Sequence, residues 1–116
     1  MDTPYNYETF ITGSDPVAST CVVIASGETL AARTPLGMVT STGKFKAFKP
    51  GASDGTQKAV YLTAYAVDAS GDRKAQVYKA GTFDPALVNW PENTTDAQKL
   101  AAFVGTPISL QSPADI

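Results

Sequence analysis

The chain contains no histidine, and only one cysteine and one tryptophan, among its 116 residues. Without histidine it lacks the side chain most used as general base, proton shuttle and metal ligand, so Ser-His-Asp and Cys-His arrangements are excluded. A zinc site built from one cysteine and carboxylates would be unusual. The lone Cys21 has no partner for an internal disulfide, and its place in the apolar run Cys21-Val22-Val23-Ile24 reads as a small buried thiol that packs as a hydrophobe. No apolar stretch approaches the eighteen or so residues of a membrane span, and the start, Met1-Asp2-Thr3-Pro4-Tyr5, has neither a basic nor an apolar signal region. The expectation is a soluble, unexported protein with no membrane partner. Charge is also scarce: 17% of residues, against roughly 25% in an average domain. With a net charge of -2 and nine scattered basic residues, no dense stripe exists to neutralise a run of phosphates, which argues against a nucleic-acid partner.

What remains is a 43% hydrophobic chain of the length of one modest domain. Residues 1–20 read as a flexible N-terminal arm, residues 21–110 as a β-rich domain, and residues 111–116 as a loose tail. Within the arm, Tyr5, Tyr7, Phe10 and Ile11 could share a strand face if a partner supplied the pairing edge. The domain reads as short strands around Cys21 to Ala25, Leu36 to Thr40, Lys44 to Phe48, Ala59 to Asp68 and Lys74 to Ala80, cut by turn residues. Ser41-Thr42-Gly43 and Ser70-Gly71-Asp72 resemble hairpin turns, while Pro50-Gly51 and Asp54-Gly55 belong to a longer loop. In the Ala59 to Asp68 segment neither Val60, Leu62, Ala64, Ala66 nor Tyr61, Thr63, Tyr65, Val67 is strongly polar, so both faces are expected to be covered.

One helix is expected over Asp96 to Val104, capped by Thr95 or Asp96 and closed by Gly105, with Ala97, Leu100, Phe103 and Val104 lining one side. A shorter helical turn begins at Asp84-Pro85 and stops before Trp90-Pro91.

Chemistry-bearing patterns are sparse. The seven lysines read as exposed charges, and Asp15, Asp54, Asp68, Asp72, Asp84, Glu92 and Asp96 mostly flank glycine, proline or a helix start, where turn and cap roles account for them. Asp68 and Asp72 bracket a turn but fall short of an EF-hand ligand series. The glycines match neither a phosphate loop nor a dinucleotide fingerprint. Asn93-Thr94-Thr95 fits a glycosylation sequon, yet the helix-start reading explains it better. Trp90-Pro91 marks a core anchor or an interface, with the core favoured, and the same ambiguity covers Tyr61, Tyr65 and Tyr78. No catalytic residue, cofactor site or metal site is assigned.

An ordered series runs through the C-terminal half: Tyr78-Lys79-Ala80-Gly81-Thr82-Phe83, Leu87-Val88-Asn89-Trp90-Pro91-Glu92 and Phe103-Val104-Gly105-Thr106-Pro107-Ile108-Ser109. With Ser14-Asp15-Pro16, Thr34-Pro35-Leu36 and Asp54-Gly55 upstream, it resembles the head decoration proteins of lambda-like tailed bacteriophages from Ser14 to Leu110. Tyr61, where the family's pattern has glycine, the more apolar stretch Cys21 to Leu30 and the tail beyond Leu110 are departures.

The resemblance implies a mainly β, β-clip-like small domain with one or two short helices and a flexible arm, assembled as homotrimers on the outer surface of the expanded capsid. It implies the phage major capsid protein as partner, a virion location after assembly in the host cytoplasm, and no enzymatic activity. Ser14, Asp15 and Pro16 carry over to the capsid-binding arm by direct match; Tyr5, Tyr7, Phe10 and Ile11 are placed there on the physical argument above. Tyr65, Trp90 and Pro91 are expected in the core or at the trimer interface. The competing readings are a carbohydrate- or surface-binding β module displayed on a virion, which would expose Tyr65 or Trp90 as a stacking platform, and a small hydrolase, for which no residue spacing supplies a site.

Overall fold

The computed structural model describes residues 17–92 and 94–111. The chain order is β1 (Ala18–Ile24), β2 (Glu28–Leu30), β3 (Pro35–Met38), β4 (Phe45–Ala47), β5 (Tyr61–Thr63), β6 (Val67–Ala69), β7 (Arg73–Phe83), a 3-10 turn (Pro85–Leu87), α1 (Asp96–Ala101) and β8 (Ile108–Leu110). The domain is mainly β with one short α-helix, as its turn-punctuated sequence predicts. Six strands form a sheet in the order β1-β4-β3-β5-β7-β8, and a further pairing of β1 with β7 rolls five of them into a small closed barrel. Closure removes most of the open edge that a sheet of such short strands would otherwise expose.

The eleven-residue β7 is the spine. Its first part pairs antiparallel with β1, from Ile24 opposite Arg73 to Ala18 opposite Ala80, with a register shift between Ala18 and Ser19. Its middle pairs with β5 through Leu62 opposite Tyr78 and Thr63 opposite Val77. Its last residues pair in parallel with β8, Gly81 opposite Ile108 and Phe83 opposite Leu110. The sheet continues from β5 to β3 (Pro35 opposite Leu62) and from β3 to β4 (Met38 opposite Phe45), and a single parallel bridge, Ile24 to Phe45, brings β4 back to β1. Because that last seam is so brief, the Ala47 N–H has a carboxylate for its partner: Glu28 Oε1 accepts it at 3.0 Å.

Two apolar clusters fill the domain. One joins Phe48, Ala59, Leu62, Phe83, Val88, Phe103 and Ile108; the other joins Ile24, Leu30, Leu36, Phe45, Val67, Ala69 and Val77. β5 lies between them, with Leu62 in the first and Tyr61 packed against the second, its ring stacked on Phe45 at 5.3 Å. Both faces are therefore covered over β5, whereas Tyr65 and Ala66, expected to be covered as well, are exposed.

The long strand expected over Ala59 to Asp68 is divided in two. The chain bends at Ala64 and Tyr65, and β6 leaves the barrel to pair with β2, Leu30 opposite Val67 and Glu28 opposite Ala69. Ser70-Gly71-Asp72 consequently links strands of different sheets and does not close a hairpin. The turn around Gly43 does join the antiparallel pair β3 and β4, with Val39 N–H bonded to Lys44 O at 2.8 Å and Gly43 in a left-handed conformation at φ 73°. Strand β1 begins at Ala18, three residues ahead of the expected start. Cys21 is exposed, not buried: along β1 side chains alternate, and Cys21 shares the outer face with Ser19, opposite the exposed Gln76.

Candidate functional site

The carboxylates act as local staples. Asp54 Oδ1 accepts from Thr56 N–H at 3.0 Å and from Thr56 Oγ1 at 2.6 Å, and these bonds, the hydroxyl first, hold its carboxyl below the ordinary range. Asp72 accepts from the Lys44 ammonium and, at 3.0 Å, from Ser26 N–H, and the lysine followed by the amide lowers it in the same way. With both oxygens of Asp72 engaged, the turn it bounds is an electrostatic fastener between β1, β4 and β7. Asp84 Oδ1 caps the 3-10 turn by accepting from Ala86 N–H at 3.0 Å. Among the described residues, no three histidine, cysteine, aspartate or glutamate side chains gather as a metal site. No helix among them is long and apolar enough to cross a membrane.

Trp90 and Pro91 are partly buried. The Trp90 ring packs against the first cluster, meets Phe48 edge-on at 6.5 Å, and donates from Nε1 to Pro85 O at 3.1 Å, while Lys99 Nζ lies 5.9 Å from its centroid. These contacts make it a strut between the 3-10 turn and the barrel. Tyr65 differs: on the bend after β5 it is 65% exposed, over a groove lined also by Asp68, Arg73, Lys74 and Gln76.

The helix holds the largest departure from the sequence reading. Its start is as expected: Thr95 Oγ1 accepts from Gln98 N–H at 3.1 Å and Gln98 Oε1 accepts from Thr95 N–H at 2.8 Å, a reciprocal capping box. Asn93 lies outside the described residues. The helix then stops at Ala101, because Ala102 takes an extended conformation and Phe103 a left-handed one at φ 66°. That reversal drives Phe103 into the core, 3% exposed, and turns the rest of the expected apolar side outward. Ala97 is exposed, Leu100 is 83% exposed and Val104 77%. Burying two such side chains would contribute about 1.5–3 kcal/mol each, and the isolated domain forgoes it.

Leu100 and Val104 both line a groove that runs between α1 and β8, with Phe103, Ile108 and Leu110 along it. A second groove, of about 570 Å³, lies on the other side of residues 102–106, bounded by Phe48, Pro50 and Val60. Residues 102–106 line both grooves, and the segment from Leu100 to Thr106 forms the ridge between them. Both ends of the described chain lie close to it. Val17 packs on the first cluster, its Cγ2 only 3.2 Å from where a Cβ on Gly81 would lie, and Gln111 N–H donates to Phe83 O at 2.8 Å. Sequence reasoning singled out none of this ridge as surface; helical periodicity says which residues share a side but not what that side faces. The arm residues Tyr5, Tyr7, Phe10, Ile11, Ser14, Asp15 and Pro16 lie outside the described residues.

No curated protein matches the chain. A family model, described as bacteriophage lambda head decoration protein D, matches residues 3–109. That span includes the whole barrel, the ridge and all but the first two residues preceding them. The chain therefore belongs to the bacteriophage lambda head decoration protein D family, which is a family of structural capsid proteins and not of enzymes.

Proposed function

We propose that this protein stabilises the expanded phage head by binding its outer surface as homotrimers that bridge neighbouring major capsid subunits. The observation that carries the reading is the family match across residues 3–109, which takes in the N-terminal segment as well as the barrel.

Attachment runs through the arm, with Tyr5, Tyr7, Phe10, Ile11, Ser14, Asp15 and Pro16 as its contact residues. Ordering about ten arm residues costs on the order of 10–20 kcal/mol of backbone entropy. Burying four large side chains returns only roughly 6–12 kcal/mol. The balance requires backbone hydrogen bonds as well, and adding a strand to a capsid sheet edge supplies them. Three arms joined in one trimer make the second and third attachments intramolecular, which raises avidity by ~10²–10⁴. Of the three candidates, exposed Tyr65 is the one open to contact between copies, whereas the packing of Trp90 on the first cluster favours the core, and Pro91 is partly buried beside it.

Co-sedimentation with expanded, undecorated capsids tests this, comparing the full chain with one that begins at Val17 and so keeps β1 whole. Saturation near one copy per capsid subunit for the full chain, with the shortened one left in solution, is the expected result. If neither binds, the decoration role is lost; if both bind equally, the arm's role is. One observation favours a second reading: the groove beneath Tyr65, with its amide and charged neighbours, is the form a sugar-binding surface on a virion would take. Binding to a glycan array that is abolished by Tyr65→Ala would support that module.

A further inference from the structure

We propose that the ridge from Leu100 to Thr106 is a second capsid contact, separate from the arm, which seats its apolar side chains on an apolar depression of the major capsid subunit. The proposal rests on the decoration role and adds to it the face by which the folded domain meets the shell.

Three observations converge on this face. First, among the described residues Leu100 and Val104 are the two most exposed large hydrophobic side chains, and both line one groove. Scattered exposed apolar residues are ordinary; a pair on one short segment that lines two grooves marks an interaction surface. Second, the exposure is built in by the backbone. The helix ends early and Phe103 adopts φ 66°, a conformation that an aromatic residue disfavours, and this turn anchors the ridge on the core while presenting its neighbours outward. Thr106 fixes the turn by donating from Oγ1 to Phe103 O at 2.7 Å.

Third, the position selects the occupant. Val17, from which the N-terminal segment departs, and Gln111, at the other described end, both attach to the Gly81–Phe83 stretch of β7, which pairs with β8 beside the groove. An arm anchored in the capsid therefore holds this end of the barrel, and not the end bearing Tyr65, against the shell. Tyr65 lies beside Arg73 and Gln76, toward the opposite end of the eleven-residue strand, roughly 20–30 Å away at about 3.3 Å per residue.

The test compares full-length wild type, Leu100→Ser/Val104→Ser and the apolar Leu100→Met/Val104→Ile in titrations against expanded, undecorated capsids. Thermal melting and sedimentation velocity are recorded for each. The serine pair is expected to melt and sediment as wild type but to bind capsids at least tenfold more weakly, with the Met/Ile pair within about threefold of wild type. Serine-pair binding within twofold of wild type would overturn the proposal. So would a change in its oligomeric state, which would mark the ridge as a contact between copies. Failure of wild type itself to bind would overturn the decoration role, and the ridge contact with it.

Discussion

The hydroxyl of Thr63, the last residue of β5, ties down the loop between β2 and β3: it accepts the Thr34 N–H at 2.8 Å and donates to Ala31 O at 2.8 Å. Thr63 is fully buried, and its backbone is bonded to the same segment, with Thr63 N–H to Thr34 O at 3.0 Å and Arg33 N–H to Thr63 O at 2.8 Å. The isosteric Thr63→Val would keep the volume and strand the Thr34 N–H out of reach of water. Urea unfolding should show a loss of about 1–3 kcal/mol. A loss under about 0.5 kcal/mol would mean that the hydroxyl contributes nothing net.

The reversal at Phe103 separates two neighbours that helical periodicity places together. Phe103→Ala removes a buried aromatic and should cost about 3–5 kcal/mol. Leu100→Ala, on the exposed side, should change stability by no more than about 0.5 kcal/mol in the isolated protein. Equal losses would return Leu100 to the core.

Two glycines test close approach against backbone strain. Gly43 has φ 73° and open space for 4 Å around the point where a Cβ would stand, so Gly43→Ala should cost roughly 1–2 kcal/mol of left-handed strain alone. Gly55 has φ 113° and would place its Cβ 2.1 Å from Met38 O, so Gly55→Ala should lose a further ~1–3 kcal/mol through overpacking against the β3 end. Thermal melts of the two variants measure the difference.

Acid should loosen the fastener at Asp72. Its folded carboxyl is lowered by Lys44 and Ser26, and Asp54 is lowered by Thr56. A lowered carboxylate gives a stabilisation that is complete above its unfolded value and is lost as pH falls through the folded one, so melting temperature should decline below about pH 4. Asp72→Asn should lower the melting temperature at neutral pH and reduce the acid-dependent part. Between about pH 6 and 8, where no side chain of ordinary pKa titrates, the melting temperature should stay flat. A steep change there would contradict the assignment.

Local features were legible in the sequence because their partners lie within a few residues. Thr95 caps α1 through Gln98, Asp84 caps the 3-10 turn through Ala86, and Gly43 turns β3 into β4, all decided by bonds between near neighbours in the chain. The absence of histidine excluded a large part of catalytic chemistry before any fold was known, and the ordered series from Tyr78 to Ser109 pointed to the family. Tertiary structure alone decided the rest. The Ala59 to Asp68 segment breaks into two strands because β2, far earlier in the sequence, takes β6 away from the barrel. Cys21 faces outward because the register with Gln76 sets which side of β1 is inside. Leu100 and Val104 line one groove although the helix that would have spaced them ends at Ala101, and it is Phe103's place in the core that leaves both in solvent. Spacing along a chain determines which side chains stand together, and only long-range pairing determines what they stand against.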